Sequence, residues 1–244
     1  MKRRRLSDIA VQEDALLVEQ TRLLYAGLPA AIAINTMLGL ILVSVQLSVI
    51  EAPRLLIWSL ILGAILIARA ALAVAWRRSE QYLENCAPIW MRRFRIAVIQ
   101  TGIAWGIGAV LLFPFGDMTH QVFLAFVLAG LSAGAITSLG VDRVSTRGFL
   151  VPALLPLVAC FWMEGGTISL AMGVMVVLFL LFIAANAARF EESFKEIIQL
   201  RIEAINREKV LKQSERRLNQ AQQIAHLGNS AFNPEASRTN QSCT

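Results

Sequence analysis

Residues 55–76 read LLIWSLILGAILIARAALAVAW and are followed at once by Arg77 and Arg78. The run is apolar except for Ser59 and Arg69, and it is long enough to cross a hydrocarbon core of about 30 Å as a helix. Lipid provides no partner for backbone N–H and C=O groups, so a segment of this kind is α-helical. Two arginines directly behind it mark the end that stays on the cytoplasmic side.

Working outward, five further runs have the same character: residues 23–50, 96–114, 122–141, 149–163 and 168–188. The fifth in chain order, 149–163, is short and contains Pro152 and Pro156; a kinked helix is expected there ahead of a re-entrant loop, with neighbours satisfying the carbonyls that the prolines free. Of the 244 residues 56% are hydrophobic and only 16% charged, against about 25% charged in a soluble domain. The net charge of +6 therefore does not call for nucleic acid, because Lys and Arg at membrane edges account for it. The expected fold class is all-α: a polytopic membrane bundle of about six transmembrane helices at 23–188.

The loops set the orientation. Lys2, Arg3, Arg4, Arg5 and Arg22 precede the first run. Arg77, Arg78, Arg92, Arg93 and Arg95 fall between the second and third, and Arg143 and Arg147 between the fourth and fifth. The alternate loops carry one Arg, Arg54, or none. Both termini are thereby expected in the cytoplasm, which requires an even number of crossings. The basic start resembles a signal peptide, but the apolar run continues past any cleavage site to residue 50, so an uncleaved span is expected. Residues 1–22 form either an in-plane cytoplasmic helix, with Ser7 as its cap, or an extension of the first span. The loops on the far side are too short to form a ligand-binding domain.

Polar residues within spans are few. Asn35, Arg69 and Gln100 are the candidate intramembrane polar positions, with Gln46 a further amide at membrane depth. Amides at this depth pair helices by default. Arg69 has two readings, an ion-pair or anionic-ligand residue, or a side chain that snorkels toward the edge at Trp76 and Arg77; the second is the simpler. Gly102 and Gly106, and again Gly130 and Gly134, stand four apart on one helix face and are candidate helix-packing positions, within one chain or between two. No acidic residue lies deep in a span and no repeat relates the halves, which weighs against coupled transport. Cys86, Cys160 and Cys243 have no metal or disulfide spacing, and His120 and His226 fall outside the runs, so no metal or cofactor is expected.

From Arg189 to Leu227 the chain is charged and free of Gly and Pro, which favours a long helix leaving the membrane. Phe190, Ile197, Ala204, Leu211 and Leu218 recur every seven residues as the candidate seam of a coiled coil. The companion stripe is poor, with Arg201, Glu208 and Glu215 after Phe194. A weakly specified homodimer through this helix is expected beside the lipid bilayer as partner, a single solvated helix being the alternative.

Residues 214–229 read SERRLNQAQQIAHLGN. This resembles the stretch that leads from a signalling helix into a bacterial PAS domain. Ser230 stands where an aromatic residue is usual, and the pattern is lost after Ala236, so 189–223 is expected as linker helix and 224–244 as a truncated PAS-like start. The membrane part resembles six-span input regions of PAS, GGDEF, EAL or histidine-kinase sensors, through Arg22-Leu23-Leu24-Tyr25, Leu28-Pro29, Ala104-Trp105-Gly106, LAGLSAGA at 128–135 and PALLP at 152–156. The resemblance implies an inner-membrane sensory module whose output domain, a diguanylate cyclase, phosphodiesterase or histidine kinase, is absent from this chain, and no catalytic residue of its own. The stimulus is not named by any residue. A small transporter and a membrane scaffold are the alternative classes.

Overall fold

The computed structural model describes residues 2–79 and 83–231, with the side-chain surroundings of most residues from 16 to 186 and some beyond. All regular structure among the described residues is helical, in six helices: α1 (Lys2–Gln46), α2 (Ala52–Ser79), α3 (Leu83–Leu111), α4 (Met118–Leu139), α5 (Arg143–Glu164) and α6 (Thr167–Ala231). Each holds a segment long and apolar enough to cross a membrane: Leu16–Gln46, Ala52–Arg78, Cys86–Leu111, Met118–Leu139, Arg143–Glu164 and Thr167–Asn186. The chain is a helical membrane bundle, as the apolar runs predict.

The structure decides one boundary that the sequence leaves open and moves three others. α1 starts at Lys2 and runs unbroken into the membrane segment, so the N-terminal stretch is an extension of the first span. Arg92, Arg93 and Arg95 belong to α3 rather than to a loop, because a helix that leaves the hydrocarbon gains from continuing its hydrogen-bond ladder. The fifth span is a full helix of 22 residues despite Pro152 and Pro156. Asp142 caps it, accepting from the Ser145 backbone N–H at 3.0 Å, and this sets its start six residues earlier than hydropathy does. His120, read as a loop residue, lies in the first turn of α4, where Asp117 caps the helix.

Side-chain contacts define two ends of the bundle. At the arginine-rich end, the Tyr25 ring stacks on Trp76 at 4.1 Å and its hydroxyl donates to the Trp90 carbonyl at 3.1 Å. Arg93 lies over the Trp90 ring, and Arg95 grips Asp142 with two hydrogen bonds of 2.9 Å. These tie α1, α2 and α3 together and pin the α4–α5 turn to α3. At the opposite end Gln46 donates to the Leu112 carbonyl at 3.3 Å, and the Gly116 N–H donates to Glu164 at 2.9 Å. Gly165 and Gly166, at φ of 75° and 81°, make the tight turn into α6 in a backbone region that favours glycine.

The core is built on α3 and α5, which share the most extensive interface. Pro156 has no N–H, so the Pro152 carbonyl loses its intrahelical donor. That carbonyl points at Gly106, where a Cβ would collide with it, and Gly102 meets the Phe149 backbone in the same way. Two candidate packing glycines are thus used within the chain, letting α3 and α5 approach backbone to backbone. Trp58 and Trp105 meet edge to face at 5.3 Å and are fully buried.

α6 is different. Within its membrane segment Ser169, Gly173 and Ile183 are the buried positions, while Ile168, Val174, Met175, Leu178, Leu181 and Phe182 are exposed. The chain divides into two units at Ile197, and α6 passes through that position and through residues 188/189 and 223/224 as one helix. In the second unit the seam residues Ile197, Ala204 and Leu211 are exposed; the side chains of Phe190 and Leu218, and residues 232–244, lie outside those described.

Candidate functional site

Arg69 is the most unusual residue in the bundle. It is 4% exposed, and its guanidinium carries a positive charge at neutral pH. The snorkelling that its sequence position suggests is not what the structure shows. Arg69 stands seven residues before Trp76, about 10 Å along the helix axis, and Cα–Cβ bonds lean toward a helix's N-terminus. In α2 that is away from the arginine-rich end, and the side chain is covered by the bundle and bonded to α3. Its Nη1 donates to the Thr101 hydroxyl of α3 at 3.1 Å, while that hydroxyl donates to the Ala97 carbonyl at 2.8 Å. This is Arg69's one hydrogen bond among the described residues, and its Nε is buried without a partner.

Placing an arginine deep in a span costs about 2.5–3.5 kcal/mol on an insertion scale. A hydrogen bond from a charged group returns about 1.5–3 kcal/mol, which offsets much of that cost and leaves the charge itself unmatched. No carboxylate of the described residues pairs with Arg69, so the position carries a cation without a counter-ion among them.

Arg69 lines a cavity of about 230 Å³ enclosed by α1 and α4, with Val98 and Phe149 contributed from α3 and α5. Its walls from α1 are Gly27, Ala30, Ala31, Ile34 and Asn35. From α4 they include Gly130 and Gly134, and nothing lies within 4 Å of where their Cβ atoms would stand. Gly130, Gly134 and Ile34 are exposed, so the cavity opens on the outer face of the bundle, toward lipid. The two glycine pairs, identical in spacing, therefore do different things: Gly102 and Gly106 pack α5, while Gly130 and Gly134 leave room beside a buried charge.

Asn35 also lines the cavity, but its amide is spoken for. Its Oδ1 accepts from Trp105 Nε1 at 2.8 Å, and its Nδ2 donates to the Ala31 carbonyl at 2.7 Å. It pairs α1 with α3, the default role of an intramembrane amide. Asn35→Leu is expected to cost about 1–2 kcal/mol by stranding the buried Trp105 N–H. Adding Trp105→Phe to it will return part of that loss, measured as unfolding midpoints in lipid nanodiscs. Gln100 does not join the site; it is exposed on α3.

Thr101, Trp105 and the Arg95–Asp142 pair carry the local geometry without standing out in the sequence. Thr101 lies one position beyond Gln100, and periodicity alone does not say which of two adjacent polar residues faces inward. No family model, curated protein or solved structure matches this chain.

Proposed function

We propose that the chain is a non-catalytic input module of a bacterial signal-transduction protein, seated in the inner membrane with both termini in the cytoplasm. In this reading the cavity at Arg69 is the sensing element. A change there is passed through α6 to a cytoplasmic output domain of the PAS, diguanylate cyclase, phosphodiesterase or histidine-kinase kind. The observation that carries the proposal is α6 itself: one helix that begins as a lightly packed apolar span and continues into a charged segment on which the stripe residues Ile197, Ala204 and Leu211 stand exposed. A lightly packed span shifts at low cost, and an exposed stripe (Ile197 at 59%, Leu211 at 63%) needs a partner to be buried. A second copy of the same helix supplies one by symmetry. A weakly specified coil sits near a two-state balance that a modest input can bias.

The test is disulfide crosslinking of single cysteines in membranes. Ile197→Cys, Ala204→Cys and Leu211→Cys are expected to crosslink several-fold faster than Gln199→Cys and Gln213→Cys, which lie off the stripe. Equal rates at all five positions, or no dimer at any, would remove the coil and with it the route for the signal.

A further inference from the structure

A sensing cavity needs a ligand, and the chemistry of its walls narrows the choice. We infer that it receives the oxyanion head of an amphiphile dissolved in the membrane, ion-paired to Arg69, with the hydrocarbon chain leaving between α1 and α4. This deepens the sensory reading and rests on the cavity being its sensing site.

Four observations select this chemistry. The first is charge. Arg69 is a buried cation that lines the cavity, with a neutral hydroxyl as its hydrogen-bond partner and no carboxylate of the described residues paired to it. A neutral carbonyl would satisfy an N–H and leave the charge; a carboxylate or phosphate does both, and its two oxygens match the planar fork of a guanidinium. The second is access. The exposed wall residues Ala30, Ile34, Gly130, Gly134, Thr137 and Ser138 all lie in membrane segments, so entry is from the lipid side and the ligand must carry enough apolar surface to be there. The third is size. About 230 Å³ falls below the roughly 300–1,000 Å³ of pockets that enclose a drug-sized ligand. It holds a head group and the start of one chain, and the rest must lie outside. The fourth is the shape of the exit. Gly27 on α1 and Gly130 and Gly134 on α4 share the cavity lining, and none of the three has an atom within 4 Å of a Cβ position. The slot between α1 and α4 is thus open at these three positions, and a single hydrocarbon chain fits along it.

The experiment uses the full chain in nanodiscs of phosphatidylcholine and a photoreactive sixteen-carbon fatty acid as the probe. Palmitate is expected to reduce labelling of α1 and α4 peptides at least ten-fold, while hexadecanol, which has the chain without the charge, and acetate, which has the charge without the chain, leave it unchanged. Replacing a fifth of the lipid with phosphatidylglycerol separates the two sources of the anion. Lost labelling assigns the site to a phospholipid head, and retained labelling assigns it to a free acid. Arg69→Gln is expected to lose labelling at least ten-fold. Gly134→Leu, which narrows the slot and keeps the Arg69 charge, will do the same and guards against a folding defect in the first variant. Competition by hexadecanol equal to that by palmitate, or parental labelling in both variants, would overturn the inference. Binding is read on the isolated chain, so a positive result beside a failed crosslinking pattern would retire the signalling route and keep the ligand.

Discussion

Gly106→Val will lower the apparent melting temperature of the chain in nanodiscs by about 6–12 °C, while the chemically identical Gly134→Val will leave it within about 2 °C. The first figure follows from packing. A Cβ at Gly106 meets the Pro152 carbonyl oxygen inside contact distance and stands 3.2 Å from Pro156 Cγ. The obstacle is backbone in a proline-containing helix, which cannot swing aside as a side chain can. Overpacking a core costs about 1–3 kcal/mol, and this site belongs at the top of that range. At about 2–4 °C per kcal/mol for a chain of this size, the shift is the one stated. At Gly134 the added methyls enter open space, and surface-like changes stay within about 0.5 kcal/mol. Equal shifts for the two variants would mean that α3 does not pack on α5 through Gly106, or that Gly134 does not face open space.

Asp142→Ala is the second large effect, expected at about 2–4 kcal/mol of stability. The carboxylate is 8% exposed and receives Arg95 Nε and Nη2 at 2.9 Å, the Ser145 hydroxyl at 2.6 Å and the Ser145 backbone N–H at 3.0 Å. Removing it takes away a helix cap worth about 1 kcal/mol and one half of a largely buried ion pair. Arg95 is about one-third exposed and retains contact with solvent, so the loss stays below that for a fully buried charge. Asp142→Asn separates the two contributions, since an amide oxygen can still cap α5 while the ion pair is gone; its expected cost falls between parent and alanine. The same residue sets an acid limit. Burial by itself raises the Asp142 carboxyl, but hydrogen bonds from Arg95 and Ser145 and the charge of Arg95 reverse the sign, leaving it below the ordinary aspartate value. Its contribution is therefore full above the unfolded-state value near 4 and is lost as pH falls through the lower folded-state value. Between pH 5 and 8 unfolding midpoints will not change on its account; below pH 4 the parent will approach the Asp142→Ala chain.

Much of this architecture is legible in the residues, and the exceptions are instructive. Length and apolarity mark six helices because lipid imposes one solution on the backbone. The burial of α5 is less visible, since Pro152 and Pro156 weaken its helical signal while in the fold they supply the surface that Gly102 and Gly106 require. Spacing shows that Gly130 and Gly134 share a face, but it does not show what that face meets. At Arg69 position suggests the membrane edge, whereas its burial and its bond to Thr101 depend on how α2 packs against α3. Asp142 sits at a rim in the sequence; its tie to Arg95, 47 residues earlier, depends on how α3 and the α4–α5 turn meet. The seven-residue recurrence from Phe190 to Leu218, by contrast, is a property of the sequence, and the exposure of Ile197, Ala204 and Leu211 is compatible with it.

A sensory role requires that the cavity beside Arg69 and the stripe on α6 be coupled. Coupling free energies between sites run to about 1–3 kcal/mol, a change of roughly five-fold or more in the linked equilibrium. Disulfide formation by Ile197→Cys in native membranes, in a background free of other thiols, measures this directly when the cavity is open and when it is plugged by Gly134→Phe. A shift in crosslinking of about five-fold or more between the two is the predicted result. Identical crosslinking with the cavity open and plugged, at Ile197 and at Ala204, would contradict it.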